Sequence, residues 1–153
     1  MNMIVLVRHG CWDPELGILT IGEARRSRAL GVALAASGVS PDPFIVSAPE
    51  KRVLQTAEEL AKAFMLTRRI NTVDVLGENC TDFTTVIELL ERHSVEGTDL
   101  IIVTIAPIAK TIIEYLDTAF ELSAGSLPKD IEPCQAIVIN TKLHEGLTIS
   151  VPA

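Results

Sequence analysis

Short, continuous apolar runs alternate along this chain with longer stretches whose apolar residues recur at helical spacing. That rhythm predicts strands and helices in turn, hence a mostly parallel central sheet with helices on both faces, an α/β fold of three-layer α/β/α type. Met3 to Val7, Phe44 to Ser47 and Leu100 to Thr104 have the length and apolar density of buried strands, and Ile70 to Leu76 is a further candidate. Helices are expected from about Ile21 to Ser37, Pro49 to Met65, Asp82 to His93 and Pro107 to Phe120. Thr20 and Glu23 are spaced as a capping box for the first, and Gly38 and Pro41 stop it. Pro49 and Pro107 are read as first helical residues, where a missing N–H costs nothing, and Glu50 as favouring the positive helix end. Gly10, Pro14 and Gly17 mark the loop after the first strand, and Gly125, Pro128 and Pro133 a late one. Ala136 to Asn140 and Leu147 to Val151 then flank a turn containing Gly146, a C-terminal hairpin at one edge of the sheet. With no repeat or linker, residues 1–153 read as a single domain.

Composition narrows the picture. Of 153 residues 48% are hydrophobic and 22% charged, which suits a packed core and not a disordered chain. With only 4% aromatics, that core is aliphatic. No apolar run is long enough to cross a bilayer, and the apolar start at Met3 is too short and lacks the basic flank of a signal peptide. Cys11, Cys80 and Cys134 form no CxxC pair, so neither a metal site nor a disulfide framework is expected, and the cytoplasm is the expected compartment. A net charge of −7 argues against nucleic acid or an anionic membrane as partner, yet leaves room for a local arginine cluster that holds phosphate.

Such a cluster is visible. Arg8, His9 and Gly10 follow the first strand, at the carboxyl edge where open α/β sheets bind ligands. Arginine offers a planar fork matched to phosphate oxygens, histidine can carry a phosphoryl group on a ring nitrogen, and Gly10 would let backbone approach. Arg52 lies in the first turn of the helix after the second strand, at the same edge and beside a helix N-terminus. Arg25, Arg26 and Arg28 read as a charged helix face in preference to a docking patch, and Cys11 carries no mark of reactivity.

Three ordered segments resemble the histidine phosphatase superfamily, which includes phosphoglycerate mutases and small bacterial phosphohistidine phosphatases. They are Leu6-Val7-Arg8-His9-Gly10, Leu19-Thr20-Ile21-Gly22, and Ser47-Ala48-Pro49-Glu50-Lys51-Arg52-Val53-Leu54-Gln55-Thr56-Ala57. The resemblance implies that His9 is the nucleophile, that Arg8 and Arg52 bind the phosphoryl oxygens, and that Thr20 lines the pocket. Glu78 would protonate the leaving group, and no metal or other cofactor is implied. The resemblance weakens after Ser123.

One position departs from the pattern. The family carries a second histidine after the fourth strand, and alignment on Leu100 to Thr104 and Pro107 puts Ile105 there. His93 and His144 stand elsewhere along the chain and are poor substitutes. Two functions are therefore expected to compete: a phosphatase acting on protein phosphohistidine, and a pseudophosphatase that binds phosphate or a phosphorylated partner without turnover. The short stretches between Arg52, Glu78 and Ile105 leave little room for an enclosing cap, which favours a phosphorylated protein over a small phosphorylated metabolite.

Overall fold

In the computed structural model the described residues are 3–66, 70–78, 80, 82–96, 98–122 and 127–152, with the side chains of 93–96 excepted. His93's side chain and Gly125 thus lie outside the described residues.

The expected apolar runs are the centre of a six-stranded sheet. β1 (Met3–Arg8) pairs in parallel with β6 (Leu100–Thr104), which pairs in parallel with β4 (Phe44–Ser47). Every residue of β6 is buried, as a strand covered on both faces requires. The sheet order is β5-β4-β6-β1-β7-β8, with β5 at Asn71–Thr72, β7 at Gln135–Asn140 and β8 at Glu145–Ser150. β7 runs antiparallel to β1 and β8 antiparallel to β7, so the terminal hairpin forms one edge. The helices are α1 (Ile21–Ala36), α2 (Lys51–Ala63), α3 (Thr84–Glu96) and α4 (Ala106–Ala119). α1 and α2 connect parallel strands placed progressively toward β5, whereas α3 leads back from β5 to β6; right-handed crossovers therefore put α3 on the face opposite α1 and α2. None of the described helices is long and apolar enough to cross a membrane.

Four local expectations need correction. The strand expected over Ile70 to Leu76 is two residues long, because its single partner β4 ends at Ser47, opposite Thr72. Past that point the chain winds into a 3₁₀ turn, Asp74–Leu76, and buries Leu76. Pro49 precedes the N-cap of α2, since Glu50 keeps a non-helical backbone and its carbonyl accepts from the N–H groups of Val53 and Leu54. Gly146 lies within β8 opposite Ile139; the turn is built instead by Asn140, whose side chain accepts from the N–H groups of Lys142 and Leu143. The loop after β1 contains a small hairpin, β2 (Trp12–Asp13) with β3 (Ile18–Leu19), too short for any hydrophobic pattern to announce.

Candidate phosphate site

The site assembles at the carboxyl edge of the central strands. Arg8 ends β1 opposite Thr104, and the His9 N–H donates to the Thr104 carbonyl at 3.2 Å, extending the ladder one step. Ile105, buried, follows Thr104 as the N-cap of α4 and so stands level with His9.

His9 is 8% exposed. Its Nδ1 lies 2.8 Å from the Gly10 carbonyl, and a carbonyl can only accept, so Nδ1 bears the proton and the lone pair of the neutral ring sits on Nε2. Burial pushes the His9 pKa below its ordinary 6.5, the Gly10 hydrogen bond opposes this, Arg52 and Arg8 lower it further, and Glu50 raises it. Both guanidinium groups are therefore within electrostatic reach of the ring. Because unfolded His9 binds its proton more tightly than the folded form, its contribution to stability is complete above about pH 6.5 and is lost as pH falls through the folded value. Urea unfolding from pH 7.5 to 5 is expected to show this slope in the native protein and a shallower one in His9→Gln; equal slopes would refute it.

Arg8 Nη1 donates to the Ile131 carbonyl at 3.0 Å, and its own carbonyl accepts from the Cys134 N–H at 3.0 Å. The loop before β7 thus braces the arginine from the far side of the chain. Arg52, with 13% of its side chain exposed, is held twice. Its Nη2 meets Glu78 Oε1 at 2.7 Å, and its Cζ lies 4.4 Å from the centroid of the Trp12 ring, a cation–π stack. The Nε atoms of both Arg8 and Arg52 are buried and have no hydrogen-bond partner. Desolvated donors of this kind are costly unless an acceptor meets them, on the order of 1–3 kcal/mol each.

The Gln55-Thr56 pair has a structural use. Gln55 Oε1 accepts from the Leu19 N–H at 2.8 Å, and Thr56 Oγ1 accepts from the Gly10 N–H at 3.2 Å while donating to the Arg52 carbonyl at 3.0 Å. These bonds lock the start of α2, the small hairpin and the Arg-His-Gly loop into one unit.

The candidate residues divide accordingly. Arg8, His9, Arg52 and Glu78 come together, Glu78 at the rim with 63% of its side chain exposed. Thr20 is exposed and caps α1, accepting from the Glu23 N–H at 3.3 Å; it makes no hydrogen bond to Arg8, His9 or Arg52. The capping box is half formed, because the Glu23 carboxylate turns away to accept from the Cys11 N–H at 3.0 Å. Gly10 packs closely against α1: an added Cβ there would lie 3.2 Å from Glu23 Cβ, a tight contact. Arg28 pairs with Glu59 at 3.0 Å, and Arg26 pairs with Glu23 at 3.4 Å and donates through Nε to the Val151 carbonyl at 3.0 Å, so both have partners within the chain. Trp12 and Glu50 were not foreseen; Trp12, the sole tryptophan of the chain and three residues beyond His9, was the legible signal.

No family model matches the chain, and no curated protein matches it by sequence. Solved structures do match. The protein histidine phosphatase SixA in complex with tungstate superposes with a TM-score of 0.74 at 20% identity, covering 97% of this chain and 96% of that one. A protein from Agrobacterium tumefaciens assigned as a SixA phosphohistidine phosphatase gives 0.70 at 18%, covering 99% and 97%. Phosphoserine phosphatase from Entamoeba histolytica, bound to 3-phosphoglyceric acid, gives 0.64 at 14%, covering 98% and 96%. The chain has the fold of the histidine phosphatases.

Proposed function

We propose that this protein is a cytoplasmic phosphatase that takes the phosphoryl group of a protein phosphohistidine onto His9 and passes it to water. The observation that carries the reading is the grouping of two arginines, each with a buried and unpartnered Nε, around an imidazole whose Nδ1 is tethered to the Gly10 carbonyl. In the first step the Nε2 lone pair attacks phosphorus as the substrate P–N bond breaks, and the departing imidazole takes a proton at its freed nitrogen. Glu78, at the rim, is the group assigned to deliver it. In the second step water attacks phospho-His9, one of its protons leaves through Glu78, and inorganic phosphate departs. Arg8 and Arg52 oppose the charge on the equatorial oxygens in both steps, and Thr20 lines the mouth.

Incubation with a histidine phosphotransfer domain carrying phosphohistidine should release phosphate, and faster than from a phosphoserine peptide. Preference for the serine ester, or no release from either, would reject the reading. Arg52→Ala should weaken binding of tungstate, followed by calorimetry, by about 10- to 100-fold, the loss expected for a charged hydrogen-bonding partner. Arg52→Lys should recover only part, lacking both the fork and the stack on Trp12. Unchanged affinity in Arg52→Ala would remove this arginine from the anion site.

Ile105 favours a second reading. An apolar, buried residue where the resemblance expects a donating imidazole suits a pseudophosphatase that binds a phosphorylated partner and does not turn it over.

A further inference from the structure

Glu50 occupies the N-cap position of α2 yet makes no side-chain cap bond. Its carboxylate leaves the helix instead: Oε1 accepts from the Glu78 N–H, and Oε2 is buried without a partner. Gly77, also buried, lies directly against it; a Cβ added there would stand 2.7 Å from the Glu50 carboxyl carbon and closer still to its oxygens. Gly77 has φ −116° and ψ −164°, an extended backbone open to any residue, so what a Cβ here would meet is the Glu50 carboxylate, which it would have to push out of its place. The preceding turn is pinned as well, because the Thr104 hydroxyl donates to the Leu76 carbonyl.

We propose that Glu50 is a positioning residue whose carboxylate clamps the Gly77–Glu78 turn onto the start of α2, so that the Glu78 carboxylate is presented to Arg52. An unpaired, buried carboxylate oxygen is tolerable here because Glu50 stands at the N-terminal end of α2 and belongs to the same charged group around His9 as Arg52 and Arg8. The clamp is a specific fit between two positions distant in sequence, an acid at 50 and the missing Cβ at 77. Its kinetic consequence rests on the phosphatase reading, whereas its structural consequence does not.

A double-mutant cycle tests both. Gly77→Ala should lower the melting temperature by several degrees in the native background and by no more than about 1 °C when combined with Glu50→Ala, since the clash partner is then gone. With phosphohistidine protein as substrate, Glu50→Ala and Gly77→Ala should each lower kcat by about tenfold at nearly constant KM, and the double variant should match Glu50→Ala. Glu50→Gln should restore most of the loss, its amide oxygen still accepting from Glu78, while the His9 imidazole proton followed by NMR titrates at lower pH than in the native protein. A neutral Gly77→Ala, additive effects, or a Glu50→Gln as impaired as Glu50→Ala would overturn the clamp. Should the native protein release no phosphate at all, the phosphatase reading falls and the melting cycle still decides the clamp.

Discussion

His9→Ala should lower phosphate release by on the order of 10⁴-fold or more, because it removes the atom to which phosphorus bonds and not merely an interaction with it. The same change should leave tungstate bound. Arg8 keeps its hold on the Ile131 carbonyl and Arg52 its contacts with Trp12 and Glu78, none of which passes through the imidazole. The backbone should also survive, since the His9 N–H to Thr104 bond does not involve the side chain. What is lost locally is one bond to the Gly10 carbonyl, a cost of about 1 kcal/mol. The signature is thus a separation of turnover from binding. Native protein quenched during reaction should carry an acid-labile phosphoryl group, and His9→Ala none. Turnover that persisted in His9→Ala would mean that water attacks the substrate directly and would dismiss the covalent scheme.

The parts of the fold that were legible are those whose signal is local. β1, β4 and β6 are buried on both faces, so their sequences are nearly uninterrupted apolar runs, and Thr20 announces the start of α1 by the chemistry of its own hydroxyl. What stayed hidden depends on residues far away. The length of β5 is dictated by where β4 ends, which no pattern within 70–76 encodes. The bracing of Arg8 by Ile131 spans most of the chain, and the fit of Glu50 to Gly77 joins a helix start to a loop. Arg8, His9 and Arg52 were expected together from their places at one sheet edge and from the ordered motifs, and Glu78 only through the resemblance, because a charged residue after a strand looks the same alone whether it faces solvent or a ligand. Glu50 shows the limit well. An acid at a helix start has an ordinary explanation in the helix dipole, and nothing in its neighbours reveals that its carboxylate serves another element.

Ile105→His should raise kcat by about 10²-fold, the amount a single well-placed donor to a developing phosphoryl charge contributes. The place is suitable. Ile105 is the N-cap of α4, level with His9 through the Arg8–Thr104 register, and the positive helix end favours a neutral imidazole that donates from one nitrogen. The native arrangement supplies few substitutes there. The residue has no side chain able to donate, and Pro107 in the first turn of α4 removes one of the N–H groups that a helix start would otherwise offer an anion. A buried isoleucine is exchanged for a polar ring, so the variant should be less stable by about 1–2 kcal/mol even as it becomes faster. Opposite signs for stability and activity distinguish restored chemistry from general improvement of the fold. The comparison also separates the two functional readings. Measurable native turnover that rises in the variant marks an enzyme working without one donor; silence in the native protein followed by activity in Ile105→His marks a binder in which the nucleophile and both arginines were kept. Native turnover left unchanged by the new imidazole would show that another group already stabilises the phosphoryl charge and that position 105 has no part in it.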